Sequence, residues 1–205
     1  MNTQIETEIQ GEIADAIAAY ERAHSPRTIW KPPRIAYATA DDPLFDELKT
    51  IVAPTHAAPE DLLPGARTVI TYFLPFGEEI ARTNAGGPYA SHAWAVAYVE
   101  TNALLAAIND HLAGALRAAG RRAAVVPPTH NFDEERLMSD WSHKHVAYIA
   151  GLGTFGLHHM LITADGCCGR LNSLVTDAFI PPTRRPETEA CLYKVDGSCK
   201  ACAAR

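Results

Sequence analysis

Two long stretches of the chain repeat apolar residues at helical intervals. In residues 3 to 23 four isoleucines recur at every fourth position on an acidic background. Residues 90 to 119 carry the longest such pattern, which is rich in alanine, begins near Ser91 and is followed by Gly120. This spacing puts the apolar side chains on one face of a helix, and glycine commonly follows the last helical turn. The pattern therefore predicts two long helices that each pack against another element.

Three other stretches have strand-like patterns. Residues 66 to 76, ARTVITYFLPF, concentrate β-branched and aromatic residues, which predicts a strand that we place at the centre of a sheet. Residues 121 to 127 predict a second, shorter strand. Residues 160 to 180 contain two apolar runs around a turn with Asp165 and Gly166. We interpret these two runs as a hairpin.

Shorter elements complete the pattern. A helix is expected at residues 43 to 52, a single proline-started turn within residues 58 to 66, and a further helix from about residue 139 to residue 150. Residues 25 to 34 contain three prolines, which predict an extended connection.

The order of these elements indicates the fold class. Helices and strands mix without the regular alternation of βαβ units, which favours an α+β fold with a sheet covered by helices. After two prolines at positions 181 and 182 the composition changes, and little remains to be buried. We therefore expect one α+β cofactor-binding domain, residues 1–182, followed by the start of a cysteine-rich module, residues 183–205.

Composition and charge narrow the function classes. The chain of 205 residues is 47% hydrophobic and has no apolar run near the ~20 residues that cross a bilayer. Its acidic, polar beginning is unlike a secretory signal, so a cytoplasmic location without membrane attachment is expected. The net charge of −6 does not support a nucleic-acid partner, because phosphate binding needs clustered cations.

The five cysteines are an odd number in a chain without a signal, which favours reduced thiols or metal ligands over disulfides. Cys191, Cys199 and Cys202 supply three thiolates, whereas a zinc site or a cubane cluster usually takes four ligands. In the bacterial ferredoxin spacing the fourth cysteine would come directly after Arg205. We favour a metal motif cut short at a boundary over a disordered segment with incidental cysteines.

A second group of candidates lies in SDWSHKHVAYIAGLGTFG, residues 139 to 156. His143 and His145, two positions apart on a helix, point to different sides and are poor partners for one metal ion. Gly151, Gly153 and Gly156 form G-x-G-x-x-G, but after a helix and not after a strand, so the dinucleotide-binding interpretation fails. These glycines are expected to end the helix and to allow close backbone approach.

Further polar pairs leave alternatives open. A carboxylate in residues 133 to 140 could act as a general acid if burial raised its pKa, whereas helix capping and a solvated loop are the simpler roles. The acidic residues are Asp133, Glu134, Glu135 and Asp140. The pairs at 158–159 and 167–168, two histidines and two cysteines, suggest a metal across the predicted hairpin. Because neighbours on a strand face opposite ways, we favour a structural role for them.

The motif HKHVAYIAGLGTFG, followed by LITADGCCGRLNSLVTDAFI and a cysteine-rich end, resembles the epoxyqueuosine reductase family and its iron–sulfur relatives. The similarity runs from about residue 62 to the end of the chain. It implies a cobalamin-binding domain related to the nitroreductase-like fold, followed by a ferredoxin-like module with two [4Fe-4S] clusters that pass electrons to the corrinoid. The family's substrate is an epoxide on a modified tRNA base.

The sequence departs from the family pattern near the motif. Thr154 replaces a tryptophan, and Leu157 and His158 replace a Lys-Asn pair, which predicts a different substrate pocket. The family's catalytic aspartate lies in a segment that has no counterpart here in register. Asp140 is the nearest acidic candidate for that catalytic role. The chain is thus expected to be a divergent paralogue.

The resulting hypothesis is an iron–sulfur oxidoreductase of unknown substrate, with cobalamin as a second candidate cofactor and an electron-donor protein as a candidate partner. The predicted cluster ligands and the predicted cofactor-pocket residues are Cys191, Cys199 and Cys202, and His143, His145, Gly151, Gly153, Gly156, His158 and Asp140. One alternative is a carrier or electron-transfer protein without catalysis. The other is an interaction domain stabilised by zinc.

Overall fold

The computed structural model describes residues 4–127, 134–135 and 138–203. Seven α-helices and six strands are present in these residues. The helices are α1 (Gln4–His24), α2 (Leu44–Ile51), α3 (Pro59–Leu62), α4 (Glu78–Thr83), α5 (His92–Ala118), α6 (His143–Ile149) and α7 (Leu192–Asp196). The strands are β1 (Arg34–Thr39), β2 (Thr68–Pro75), β3 (Ala123–Val125), β4 (Gly153–Phe155), β5 (Leu161–Thr163) and β6 (Gly169–Thr176).

Four of the strands form an antiparallel sheet in the order β1-β2-β6-β3. Every residue of β2 is buried, because β1 and β6 flank it and helices cover both faces of the sheet. The prediction of a central strand in residues 66 to 76 is confirmed. So is the short strand in residues 121 to 127, which is β3 at the sheet edge.

Alternate residues of β2 serve two separate cores. Ile70 faces α1 and α5 together with Leu104 of α5, whereas Val69 faces α2 and α6 together with Val146 of α6. This alternation follows from the two-residue repeat of a strand. The molecule is therefore a helix–sheet–helix sandwich, which confirms the predicted α+β class.

The two long predicted helices are confirmed as α1 and α5, which pack against each other. The side chain of Ser91 caps α5 by accepting a hydrogen bond from the Trp94 amide at 3.1 Å. Gly120 follows the end of the helix with a φ of 71°, a conformation that favours glycine. By contrast, strand β1 and helix α4 lie where the sequence pattern predicted neither element.

Helix α6 begins four residues later than its pattern predicted. The Ser139 hydroxyl accepts the Trp141 amide hydrogen at 3.2 Å, which forms a local side-chain turn in place of a helical one. The helix therefore starts after Ser142.

The predicted hairpin in residues 160 to 180 is wrong. The turn exists, since Thr163 and Gly166 exchange two backbone hydrogen bonds of 3.0 Å, but β5 then pairs with β4 and β6 joins the main sheet. Gly153 explains why β5 can pair with β4, because a Cβ at this position would lie 2.1 Å from the Ile162 carbonyl oxygen. Only glycine lets these two backbones approach so closely.

Residues 183–203, called here the C-terminal segment, run along the surface of the sandwich. Hydrogen bonds hold the first part, among them Thr183 N to Tyr37 O at 2.9 Å, Arg185 Nε to Ile149 O at 2.8 Å, and Ala190 N to Thr154 Oγ1 at 2.8 Å. The rest contains α7 and a single 3₁₀ turn, Ala201–Ala203. In the described part of the chain, every helix is too short or too polar to cross a bilayer.

Candidate functional site

A cleft of about 500 Å³ lies where the start of α6 meets α2, β5 and the beginning of β6. Its wall combines apolar side chains with the imidazoles of His143 and His145, the thiol of Cys167 and the cations Lys144 and Arg170. A volume of this size is typical of small-molecule sites. The cleft therefore brings two of the predicted pocket histidines together with residues about 25 positions further along the chain.

A buried chain of hydrogen bonds fixes the base of the cleft. The Trp141 indole N–H donates to the Ser173 hydroxyl at 2.9 Å, and Ser173 Oγ lies 2.9 Å from His143 Nδ1. His143 Nε2 lies 3.2 Å from the Pro127 carbonyl oxygen, which can only accept. The network is satisfied when the His143 proton is on Nε2 and the Ser173 hydroxyl donates to Nδ1. Both imidazole nitrogens are thus engaged in positioning the ring.

His56 was not among the candidates from the sequence, and the fold places it beside the start of α6. It is buried and stacks on Trp141 with ring centroids 5.7 Å apart. His56 Nδ1 donates to the Ala57 carbonyl at 2.9 Å, so Nε2 accepts the amide hydrogen of Ser142 at 3.0 Å. Burial lowers the pKa of His56, which keeps the accepting nitrogen unprotonated. The partners are 86 positions apart, so no local pattern could reveal this cap.

His145 is the imidazole available to a molecule in the cleft. Its Nδ1 lies 2.7 Å from the Ser142 hydroxyl, and its ring leans on Phe155 with centroids 5.0 Å apart. Burial, the charge of Lys144 and the proximity of His56 lower the pKa of His145 to about 4. The ring is therefore neutral at pH 7. Its Nε2 makes no hydrogen bond to any residue that the structure describes, while the side chain lines the cleft.

In the part of the chain that the structure describes, the charged side chains that line the cleft are all cations. Lys144 and Arg170 line it, and the Arg170 guanidinium lies over the Tyr98 ring at 4.2 Å from the centroid. Among the described residues, no lining side chain is a carboxylate. The positive potential of the two cations is therefore not cancelled within the wall itself.

Asp140 does not line the cleft. Its carboxylate accepts a hydrogen bond from the Thr55 hydroxyl at 2.6 Å, and its carbonyl oxygen accepts the Ala57 amide at 2.9 Å. These bonds tie the approach to α6 to the loop that carries His56. Its catalytic role stays a prediction. Of the other acidic candidates, Glu134 and Glu135 are exposed, and Asp133 lies outside the described residues.

The three glycines of the motif have separate structural functions. Gly151 ends α6 with a φ of 87°, and Gly153 admits the Ile162 carbonyl. Gly156 lies under the ring of His158, since a Cβ at this position would be 2.6 Å from an imidazole carbon. The predictions that the glycines end the helix and allow close approach are confirmed. Their contact with a cofactor stays a prediction.

The cysteines of the C-terminal segment lie outside the cleft. Cys191 directly precedes α7, and hydrogen bonds from the backbone amides of Leu157, then Lys194 and Tyr193, lower the pKa of its thiol. Cys199 lies in the stretch between α7 and the 3₁₀ turn, and Cys202 lies within that turn. Within the described part of the chain, no three His, Cys, Asp or Glu side chains are arranged to hold a metal ion. The cluster-ligand role of the three cysteines therefore stays a prediction.

Comparison with known proteins gives a match at the level of structure only. No protein-family model matches the chain, and no curated protein sequence matches it. Epoxyqueuosine reductase from Streptococcus thermophilus is similar over 98% of this chain and 52% of its own, with a TM-score of 0.53 and 16% identity. The enzyme from Bacillus subtilis, solved with its catalytic loop swung out of the active site, is similar over 96% and 51%, with a TM-score of 0.56 and 19% identity.

A third structure shows epoxyqueuosine reductase with an epoxyqueuosine-modified stem loop of tRNA-Tyr. It is similar over 94% of this chain and 52% of its own, with a TM-score of 0.57 and 18% identity. The chain thus spans about half of the length of the solved structures that it matches. It has the fold of the matching half of these epoxyqueuosine reductase structures, in agreement with the resemblance that the sequence motifs carry.

Proposed function

We propose that this protein is an oxidoreductase distantly related to epoxyqueuosine reductase, and that the chain provides the cleft in which a small molecule is reduced. The observation that carries the proposal is the cleft itself. On the fold of that enzyme, the HKHVAYIAGLGTFG motif places a neutral His145 and the cation Lys144 on the wall of one small-molecule-sized cavity.

The charge of the cleft suits a reduction. A substrate that gains electrons develops negative charge, and fixed cations close to it stabilise that charge in a site partly shielded from water. Lys144 and Arg170 supply such cations, and no described carboxylate in the wall opposes them. His145 Nε2 is free to hydrogen-bond to the bound molecule, since Ser142 engages the other nitrogen.

The electrons are proposed to come from an iron–sulfur cofactor held by Cys191, Cys199 and Cys202. The amides that point at Cys191 sulfur favour a thiolate, the form that binds metal. A cubane cluster takes four ligands, and the three cysteines are not assembled into one group in the described chain. The complete site therefore requires a further ligand and a rearrangement of the C-terminal segment. When bound, the cluster supplies single electrons.

The finer proposal is that the cleft also binds cobalamin, as the resemblance to the family implies. Its volume of about 500 Å³ and its partly apolar wall fit a small organic molecule. A whole corrinoid is larger than this volume, so only part of it would lie inside the cleft. A small molecule is preferred to tRNA as the substrate. The net charge of −6 opposes phosphate binding, even though one solved relative was determined with a tRNA stem loop.

Iron content tests the cluster part of the proposal. The complete protein, purified without oxygen, is expected to contain iron, and Cys191→Ala, Cys199→Ala and Cys202→Ala are each expected to reduce it while the circular dichroism spectrum is unchanged. Cys168→Ala is the matched control and should retain iron. Unchanged iron in all three variants would remove these cysteines from the site. A colourless protein with stoichiometric zinc would instead support the interaction domain.

Retention of cob(II)alamin tests the cleft. After anaerobic mixing and gel filtration, stoichiometric retention with a changed visible spectrum is expected for the parent protein, and weaker retention for Arg170→Ala. His92→Ala, which changes an exposed residue outside the cleft, serves as the control. No retention by the parent would exclude cobalamin. Bound cofactors without turnover of any small acceptor under reducing conditions would favour an electron-transfer protein.

A further inference from the structure

Of two neighbouring thiols, Cys167 lines the cleft and Cys168 directly follows it, and neither has a part in the function proposed above. They occupy a bend between the turn at Thr163 and the first residue of β6. Since they are not on a strand, their side chains need not face opposite ways. Burial and then the neighbouring Cys167 sulfur raise the pKa of Cys168, so its resting form is the thiol. Both are partly accessible, and Cys167 lines the cleft.

His158 directs an N–H at this pair. Its Nδ1 accepts the amide hydrogen of Met160 at 3.0 Å, which places the proton of the neutral ring on Nε2. That nitrogen lies 4.0 Å from Cys167 Sγ. Glycine at position 156 leaves room for the His158 ring, because the Cβ of any other residue there would overlap the imidazole. Imidazole N–H groups that point at ligand atoms are typical of the outer shell of metal sites.

Chain geometry disfavours a disulfide between the two cysteines. Consecutive Cα atoms are ~3.8 Å apart, whereas disulfide-bonded residues usually have Cα atoms about 4.4–6.8 Å apart, and shorter spans are strained and easily reduced. The pair is therefore expected to remain a dithiol. Two adjacent thiols are then available to one ligand at the same time.

The number and type of ligand atoms select the ion. Zinc usually takes four ligands, and the described residues contain no group of three donors. Soft thiolates favour Cu(I) among the common metal ions, and Cu(I) is stable with two sulfur ligands. Two thiolates around a monovalent ion carry a net negative charge, and two cations, Lys144 and Arg170, line the same cleft as Cys167.

We propose that Cys167 and Cys168 form a vicinal dithiol site for a soft monovalent metal ion of the Cu(I) type, with His158 as its outer-shell hydrogen-bond donor. The ion would lie at the edge of the cleft and would narrow it. The site is independent of the redox function proposed above, since it uses neither an iron–sulfur cluster nor a substrate.

An anaerobic competition titration with Cu(I) and a colorimetric Cu(I) chelator tests the site. Cys199 and Cys202 form a competing pair, so the titration uses the chain with both replaced by serine. This variant is expected to bind one equivalent, and adding Cys167→Ser or Cys168→Ser should weaken binding at least ~100-fold. His158→Phe should weaken it about 10–100-fold, as is usual for outer-shell partners. Cys191→Ser, added to the same chain, is the control, and it should bind Cu(I) as tightly as the chain in which only Cys199 and Cys202 are replaced.

A second probe covers variants that fold poorly. Phenylarsine oxide condenses with two thiols, forming two As–S bonds and releasing water without a change in the oxidation state of arsenic. The Cys199→Ser, Cys202→Ser chain should retain one arsenical in excess monothiol, as read by intact mass. Absence of both Cu(I) binding and arsenical retention in this chain would overturn the proposal. So would equal retention after replacement of Cys167 or Cys168, or a mass that shows the two thiols already oxidised to each other.

Discussion

The start of α6 and the C-terminal segment differ in how the fold treats their reactive residues. At the start of α6, Trp141 and His143 are buried and joined through Ser173. In the C-terminal segment, Cys202 is exposed and α7 has no buried residue. Both stretches are candidate sites in the sequence for the same reason: each concentrates residues that can bind metals or transfer protons.

The comparison shows that similar sequence signals lead to different chemical states. At the start of α6, burial is the main cause that lowers the pKa of His145 and keeps the ring neutral. At Cys191 the lowering of the pKa comes mainly from backbone amides that point at the sulfur. The first state depends on the whole core, whereas the second depends on a few hydrogen bonds at the surface.

The largest expected effect is the loss of the buried indole. Trp141→Ala should lower the free energy of unfolding by about 3–5 kcal/mol, because it leaves a cavity beneath the cleft. Trp141→Phe keeps an aromatic ring, though a smaller one, and removes the N–H that donates to Ser173, so its cost should be about 1–3 kcal/mol. Denaturant unfolding measures both. A loss below about 1 kcal/mol for the alanine variant would show that this region is not part of the core.

A smaller loss is expected where β4 and β5 meet behind α6. Gly153→Ala should cost about 1–3 kcal/mol, since the new methyl group overlaps the Ile162 carbonyl. Gly114→Ala in α5 is the matched control, because nothing lies within 4 Å of its added methyl group. It should stabilise the protein by about 0.5–1 kcal/mol through helix propensity. Similar values for both variants would contradict the observed strand pairing.

The pH dependence of stability tests the electrostatic half of the comparison. The folded-state pKa of His145, about 4, is below the unfolded value near 6.5, and that of His56 is lowered as well. Between these values the unfolded chain binds more protons, so stability should fall as the pH drops from about 6.5 toward 4. For the half-buried His145 the loss should be on the order of 1 kcal/mol.

Denaturant midpoints at pH 7 and pH 5 measure this slope. His145→Gln should flatten it, whereas His92→Gln, which changes an exposed histidine outside the cleft, should leave it unchanged. An equal slope in the parent protein and in His145→Gln would show that His145 is not held neutral by the fold.

The smallest effect is expected in the C-terminal segment. Cys199→Ala should change the free energy of unfolding of the metal-free chain by no more than about 0.5 kcal/mol, because few contacts depend on this side chain. The same denaturant experiment applies. A cost above about 2 kcal/mol would mean that the segment packs on the sandwich, and it would remove the contrast with the start of α6.

Periodicity alone determined much of the architecture. The spacing of isoleucines in α1 and the alanine-rich helical pattern of α5 predicted both helices, and the apolar run of β2 predicted a strand at the centre of a sheet. These features are local, since each depends on residues within one or two helical turns or along one strand. The motif that starts at His143 also identified a stretch whose first residues line the cleft, and its glycines predicted a close backbone approach, which is observed at Gly153.

Only the tertiary structure decided which residues meet across the chain. In it, β5 pairs with β4 and His56 caps α6. Asp140 accepts a hydrogen bond from Thr55, and His158 lies next to Cys167. The physical reason is that these contacts join segments whose separation in sequence has no fixed relation to their distance in space. The sequence therefore determined which elements form and which residues can react, and long-range packing determined their partners, their burial and the protonation state of His145.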